Sequence, residues 1–160
     1  MISHQLTKWE DDVNLGIICI ASHLEDYRLA HALNKTITTS FKNKPALLET
    51  KQNKKSFAFS VFISEGAQNK PIVFLVDNHS VQLESKIKNN ALFNLNPLLQ
   101  RPVISSLKKW HYILFSEDLA WCGKTKDLLV SKDILYTQII DNQTLKKSEL
   151  DLLISLTYDQ

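Results

Sequence analysis

The 160-residue chain is poor in glycine, proline and cysteine, with three, four and two of them. So few glycines and prolines exclude a collagen-like or low-complexity linker chain. They also leave little material for a glycine-rich cofactor loop. Two cysteines, Cys19 and Cys122, do not make a disulfide framework. Cys19 lies within the apolar run Leu15-Gly-Ile-Ile-Cys-Ile-Ala21, where a thiol behaves as a small buried hydrophobe. Also missing is any apolar stretch near the roughly 18 residues that span a bilayer. The opening Met1-Ile-Ser-His-Gln-Leu-Thr-Lys-Trp-Glu10 has no apolar signal core and runs straight into acids. These absences lead us to expect a cytoplasmic protein with no membrane partner.

What is present is ordinary for a globular domain: 44% hydrophobic and 22% charged residues. A chain of this size buries roughly 70% of its unfolded surface and needs no metal or disulfide staple. One domain over residues 1–160 is expected, with residues 1–13 and 142–160 at its periphery. The net charge of +2 is too small to imply a polyanionic partner. Its distribution is uneven, with residues 1–34 at −3, residues 35–110 at +8 and residues 111–160 at −3. Acidic ends complementing a basic middle in the fold explain this as well as a polyanion-binding face does.

Hydrophobic periodicity gives the elements. The run at residues 15–22 reads as a strand buried on both faces. Ser22-His-Leu-Glu25 is a capping box before a helix over 23–34, with Leu24, Tyr27, Leu29 and Leu33 on its inner stripe. The β-branched segment 36–41 reads as a strand, and lysine-rich 42–55 as a loop. Phe57, Phe59, Val61 and Ile63 alternate along another strand. Residues 71–76 and 79–83 flank the turn residues Asp77-Asn78 and read as a hairpin. Residues 84–101 are left unassigned. A strand over 110–116, a helix within 117–130 and a strand over 134–140 complete the chain. The expected fold is α+β: an antiparallel-rich sheet with helices packed on one face and strand–helix–strand units near both ends.

Leu15-Gly-Ile-Ile-Cys-Ile-Ala-Ser-His-Leu-Glu-Asp-Tyr-Arg-Leu-Ala-His-Ala-Leu-Asn-Lys35 resembles the opening of the IPExxxVDY family of small bacterial proteins. Thr144-Leu-Lys-Lys-Ser-Glu-Leu-Asp-Leu-Leu-Ile154 is similar to that family's C-terminal segment. The naming motif is diverged in Ile104-Ser-Ser-Leu-Lys-Lys-Trp-His-Tyr112. Ile104 and Tyr112 match it, while Ser105, Ser106, Trp110 and His111 replace its Pro, Glu, Val and Asp. The resemblance implies a bacterial cytoplasmic protein and supplies no substrate, cofactor or catalytic residue.

Familiar motifs dissolve on inspection. Gly123-Lys-Thr125 lacks the glycine of a phosphate loop, since Asp118 stands where it belongs. Trp121-Cys-Gly-Lys124 lacks a resolving cysteine, with Thr125 in its place. Ser106-Leu-Lys-Lys109 has none of the companion elements of acyl-enzyme chemistry. The histidines His4, His23, His31, His79 and His111 are not spaced to share a metal. Glu25, Asp26 and Arg28 read as a helix cap and a solvated face.

The expected function is therefore a non-catalytic protein-interaction or oligomerisation module, with no cofactor or metal and with a protein partner or second copy. The alternative is RNA binding by the basic middle, 35–110, because bases stack on aromatics within basic grooves. Lys54, Lys55, Lys108, Lys109, Trp110, His111 and Tyr112 are the candidate interaction surface. An enzyme built around His111, Tyr112 and Glu117 is the third reading.

Overall fold

The computed structural model describes residues 14–50, 55–66, 69–83 and 100–158. Its centre is β1 (Gly16–Ser22), whose apolar run is buried on both faces as its composition requires. Neighbours pair with it on both sides: β9 (Tyr112–Ser116), with Ile18 opposite Leu114, and β10 (Ile134–Ile140), with Ile18 opposite Ile139. The sheet continues through β6 (Val73–Asp77) and β5 (Val61–Ser64) to β2 (Phe41–Asn43). Its order is β10-β1-β9-β6-β5-β2, antiparallel throughout.

A second, four-stranded antiparallel sheet has the order β3-β4-β7-β8. Its strands are β3 (Ala46–Thr50), β4 (Lys55–Phe59), β7 (His79–Leu83) and β8 (Gln100–Pro102). Most of it is made by chain leaving the first sheet. β2 passes into β3 through Lys44-Pro45, β4 into β5 through Ser60, and β6 into β7 through Asn78. Along the last two, Val61 opposes Val76 whereas Ala58 opposes Val81. Residues 77–80 thus stand against 59–60, a bulge that bends the strand pair from one sheet into the other.

Asn78 holds this bend. It is buried, and all its polar groups are bonded to residues 103–111. Its backbone N–H donates to the His111 carbonyl at 2.9 Å, and its carbonyl accepts from Val103 N–H at 3.0 Å. Its side-chain Oδ1 accepts from Ile104 N–H at 2.7 Å, while Nδ2 donates to the carbonyls of Leu107, Trp110 and Ile104 at 2.9, 3.3 and 3.4 Å. An irregular segment can lie inside a fold only when its backbone groups find such partners. The expected hairpin at Asp77-Asn78 is therefore a sheet-to-sheet crossing.

Three helices are described: α1 (Asp26–Thr36), α2 (Leu119–Leu128) and α3 (Lys147–Tyr158). The α1 helix lays Leu29, Ala30 and Leu33 on the sheet beside Ile18, Ile20, Leu75 and Leu114. Cys122 of α2 and Leu129 just beyond it join the same cluster. Asp118 caps α2 by accepting from Trp121 N–H at 2.9 Å. Gly16 lets α2 come close: a Cβ there would lie 2.5 Å from Cys122 Sγ, which itself donates to the Gly16 carbonyl. On the opposite face, Leu153 and Ile154 of α3 pack with Ile17, Ile113, Phe115 and Val76.

The α+β class with antiparallel sheets is thus shown, but the expected single helical face holds only for α1 and α2. α3 covers the other face, because strands buried on both sides need a cover on both. The C-terminal segment is not peripheral. Asn142 exchanges two hydrogen bonds with the backbone of Leu15, at 3.0 and 2.6 Å, and buried Leu145 and Leu153 follow it. Residues 1–13 lie outside the described residues. The unit near the C-terminus is a split one: β9 and β10 lie parallel, with β1 between them.

Local readings also shift. Ser22 does not cap α1; its hydroxyl donates to the Asp133 carbonyl and accepts from Leu24 N–H, and Glu25 takes the cap position without a side-chain bond. Tyr27 points outward, beneath the Arg28 guanidinium. The expected strand over 36–41 begins only at Phe41, because α1 runs on to Thr36 and Thr38 takes a left-handed φ of 53°. The expected loop 42–55 contains β3.

Candidate functional site

At one end of the central strands, the last residues of β1 and β6 meet the entry to β9. Asp77, His79, His111, Ser22 and Tyr112 gather there. His111 Nδ1 accepts from Ser22 N–H at 3.0 Å, which places its proton on Nε2 when the ring is neutral. Its ring stacks on His79 at 5.9 Å between centroids, and His79 Nδ1 lies 3.3 Å from Asp77 Oδ1. Burial pushes the Asp77 carboxyl above its usual range, against the hydrogen bonds and charge of His79. Burial, then the charges of His79 and His23, hold His111 below the usual imidazole value.

Serine, histidine and aspartate in one place invite comparison with a nucleophilic triad. The bonds are wrong for one. His111 takes the backbone proton of Ser22 and not its hydroxyl, whose own proton goes to the Asp133 carbonyl at 2.6 Å. The Tyr112 phenol donates to the Leu24 carbonyl at 2.5 Å, and burial followed by nearby carboxylates pushes its pKa well up. These groups tie the start of α1 and the start of β10 to the sheet. Glu117 of the enzymatic reading sits beyond the far end of β9, about 20 Å along the strand from His111. There it adjoins a cleft of about 410 Å³ lined by Pro71, Ile72, Phe74, Ser116 and Tyr158. Its charge raises the Tyr158 phenol. Among the described residues no three His, Cys, Asp or Glu side chains could hold a metal ion. No described helix is long and apolar enough to cross a membrane.

The residues of the expected interaction surface part company. Lys54 lies outside the described residues. Lys55 starts β4 opposite Thr50, whereas Lys108 and Lys109 are exposed on the turn after a single 3-10 turn at Ser105–Leu107. Trp110 and Tyr112 face different sides, since Trp110 precedes the strand and alternation does not yet apply. Trp110 packs beside the α3-side core, and Tyr112 is buried in the α1-side core. Phe57, the other aromatic beside a lysine pair, is buried under the Arg101 guanidinium at 5.2 Å. Trp110 stacks on Tyr136 of β10 at 5.6 Å, with 14° between the planes. The aromatics that base stacking needs are engaged within the chain.

That stack leads to the surface the sequence reading missed. β10 is the outer strand of the six-stranded sheet, and no described strand pairs with its far side. It carries exposed Leu135, Tyr136 and Ile139, and exposed Leu128 and Val130 precede it; Tyr136 is 63% exposed and Val130 87%. None of residues 134–140 is charged. That uncharged stretch was the available signal, but it reads as a buried strand until its edge position is known. The other site missed is Glu149, whose carboxylate accepts from Ser105 Oγ, Ser106 N–H and Lys146 N–H at 2.8, 3.1 and 3.1 Å. Burial works to raise this carboxyl, yet the hydrogen bonds outweigh it and hold the pKa below its usual value. Glu149 fastens α3 to the segment that Asn78 organises.

Comparison with protein-family models, with curated proteins and with solved structures finds no match. The resemblance to the IPExxxVDY proteins therefore rests on the sequence alone.

Proposed function

We propose that this chain works by binding, as a non-catalytic protein-interaction or oligomerisation module of the bacterial cytoplasm related to the IPExxxVDY proteins. One observation carries the reading: β10 presents an edge that no described strand pairs with, together with exposed apolar side chains. An edge of this kind is a ready template for another strand, and folds with no use for it blunt it with charge, proline or a cover. The polar cluster beside it supports the same reading, because its histidines, serine and tyrosine are spent on holding the fold.

The test compares the native chain with Ile139→Lys, which puts a charge on the exposed edge. We expect assemblies, with itself or with proteins of its host, to be lost in the variant while circular dichroism stays unchanged. An assembly indifferent to Ile139→Lys, or none in either protein, would overturn the proposal.

A further inference from the structure

We propose that the occupant of the β10 edge is a second copy of this chain. The two β10 strands pair antiparallel about a two-fold axis at Gln138, so that two six-stranded sheets become one. This rests on the reading of β10 as the docking element and names its partner.

The register follows from the strand. Ala21 opposes Tyr136 while Ser22 opposes Ile134, so Leu135 is an extra, bulged residue and regular pairing is confined to 136–140. In a two-fold antiparallel pair, opposed side chains share a face, and the central residue meets itself. Centring on Gln138 uses the whole regular stretch. Tyr136 of one copy then faces Ile140 of the other, and Thr137 faces Ile139. Gln138 meets Gln138, a neutral amide that can donate and accept at once. Centring on Thr137 instead would set Asp133 against Asp141, like charges that destabilise a directly opposed pair.

Charge selects the occupant. The partner strand has to be free of charge to match 136–140, and β10 itself meets that condition. The remaining outer strands of the two sheets do not: β2 carries Lys42, β3 carries Glu49, and β8 carries Arg101 and Pro102.

Four proteins test the pairing by light scattering over a concentration series and by cross-linking: the native chain, Ile139→Lys, Gln138→Cys and Tyr136→Cys. We expect a dimer of the native chain, weakened about tenfold or more by Ile139→Lys, since each interface gains two charges among apolar partners. Under a mild disulfide-forming oxidant, Gln138→Cys should give a covalent dimer, while Tyr136→Cys, which faces Ile140, should not. Cys19 and Cys122 do not confuse the result, because burial pushes both thiols up to about 12. A chain monomeric at every concentration would overturn the dimer, as would a dimer that ignores both substitutions. Should the monomeric chain still bind another protein through an Ile139-sensitive edge, the reading of β10 as a docking element stands and only its occupant changes. Should nothing depend on Ile139, both fall.

Discussion

The two flanks of the six-stranded sheet are built on opposite principles. On the β2 side the strands run on, bend at Lys44-Pro45, Ser60 and Asn78, and become a second sheet. The outer strand there is three residues long and carries Lys42. On the β10 side the sheet stops at a seven-residue strand without a charge, most of it exposed. One flank protects its backbone groups with buried hydrogen bonds, a short edge and a lysine, whereas on the other no described strand covers them. That difference is what supports the proposal that the β10 edge takes a partner.

The largest expected effect breaks the closed flank. Asn78→Ala would take the side-chain partner from Ile104 N–H and the Trp110 carbonyl, while the Ile104 and Leu107 carbonyls keep a backbone donor, and we expect a loss of about 2–4 kcal/mol in urea denaturation. A loss below about 1 kcal/mol would show that the crossing does not depend on this side chain. Next comes Gly16→Ala, whose new methyl group meets Cys122 Sγ at 2.5 Å. Forcing α2 away should cost about 1–3 kcal/mol, and the same substitution with Cys122→Ala should recover part of it.

Acid should loosen both the junction next to β10 and the anchor of α3. His111 has a depressed pKa in the fold, so its contribution is complete above the ordinary value of 6.5 and is lost as pH falls through the lowered one. Protonated His111 can no longer accept from Ser22 N–H. Glu149 acts in the same direction lower down, from its ordinary value of 4.5 through its lowered one. Asp77, with its pKa raised, opposes them: its contribution is lost as pH rises. We expect stability to fall between pH 7.5 and pH 5.5, and His111→Asn, which keeps an acceptor but no titration, to flatten that fall. The smallest effect belongs to the open flank. Ile139→Lys should change monomer stability by no more than about 0.5 kcal/mol while it removes association.

Much of the fold was legible because local pattern and burial agree. The 15–22 run and the whole of β10 emerge from periodicity, whereas Phe57 to Ile63, expected as one strand, is parted at Ser60 into β4 and β5 of different sheets. The motif-like Gly123-Lys-Thr125 and Trp121-Cys-Gly-Lys124 come to nothing because Gly123, Lys124 and Thr125 all lie inside α2. Asn78 was legible only as a turn residue, since its bonding partners lie 26 to 32 positions away. Glu149 gave no local signal for the same reason, since Ser105 and Ser106 lie 44 and 43 positions away.

Composition and periodicity by themselves determined an α+β chain with a core large enough to stand without staples. They also placed Leu29 and Leu33 of α1 and Phe57 and Phe59 of β4 inward, though not Tyr27, because the side-chain period of a strand or helix is a local property. Tertiary structure alone decided that α3 covers the second face, that Trp110 and Tyr112 part to opposite cores, and that β10 stands at an edge. An uncharged apolar strand has the same sequence whether neighbours flank both its sides or one. Only the order of strands in the sheet places it outermost among the described strands.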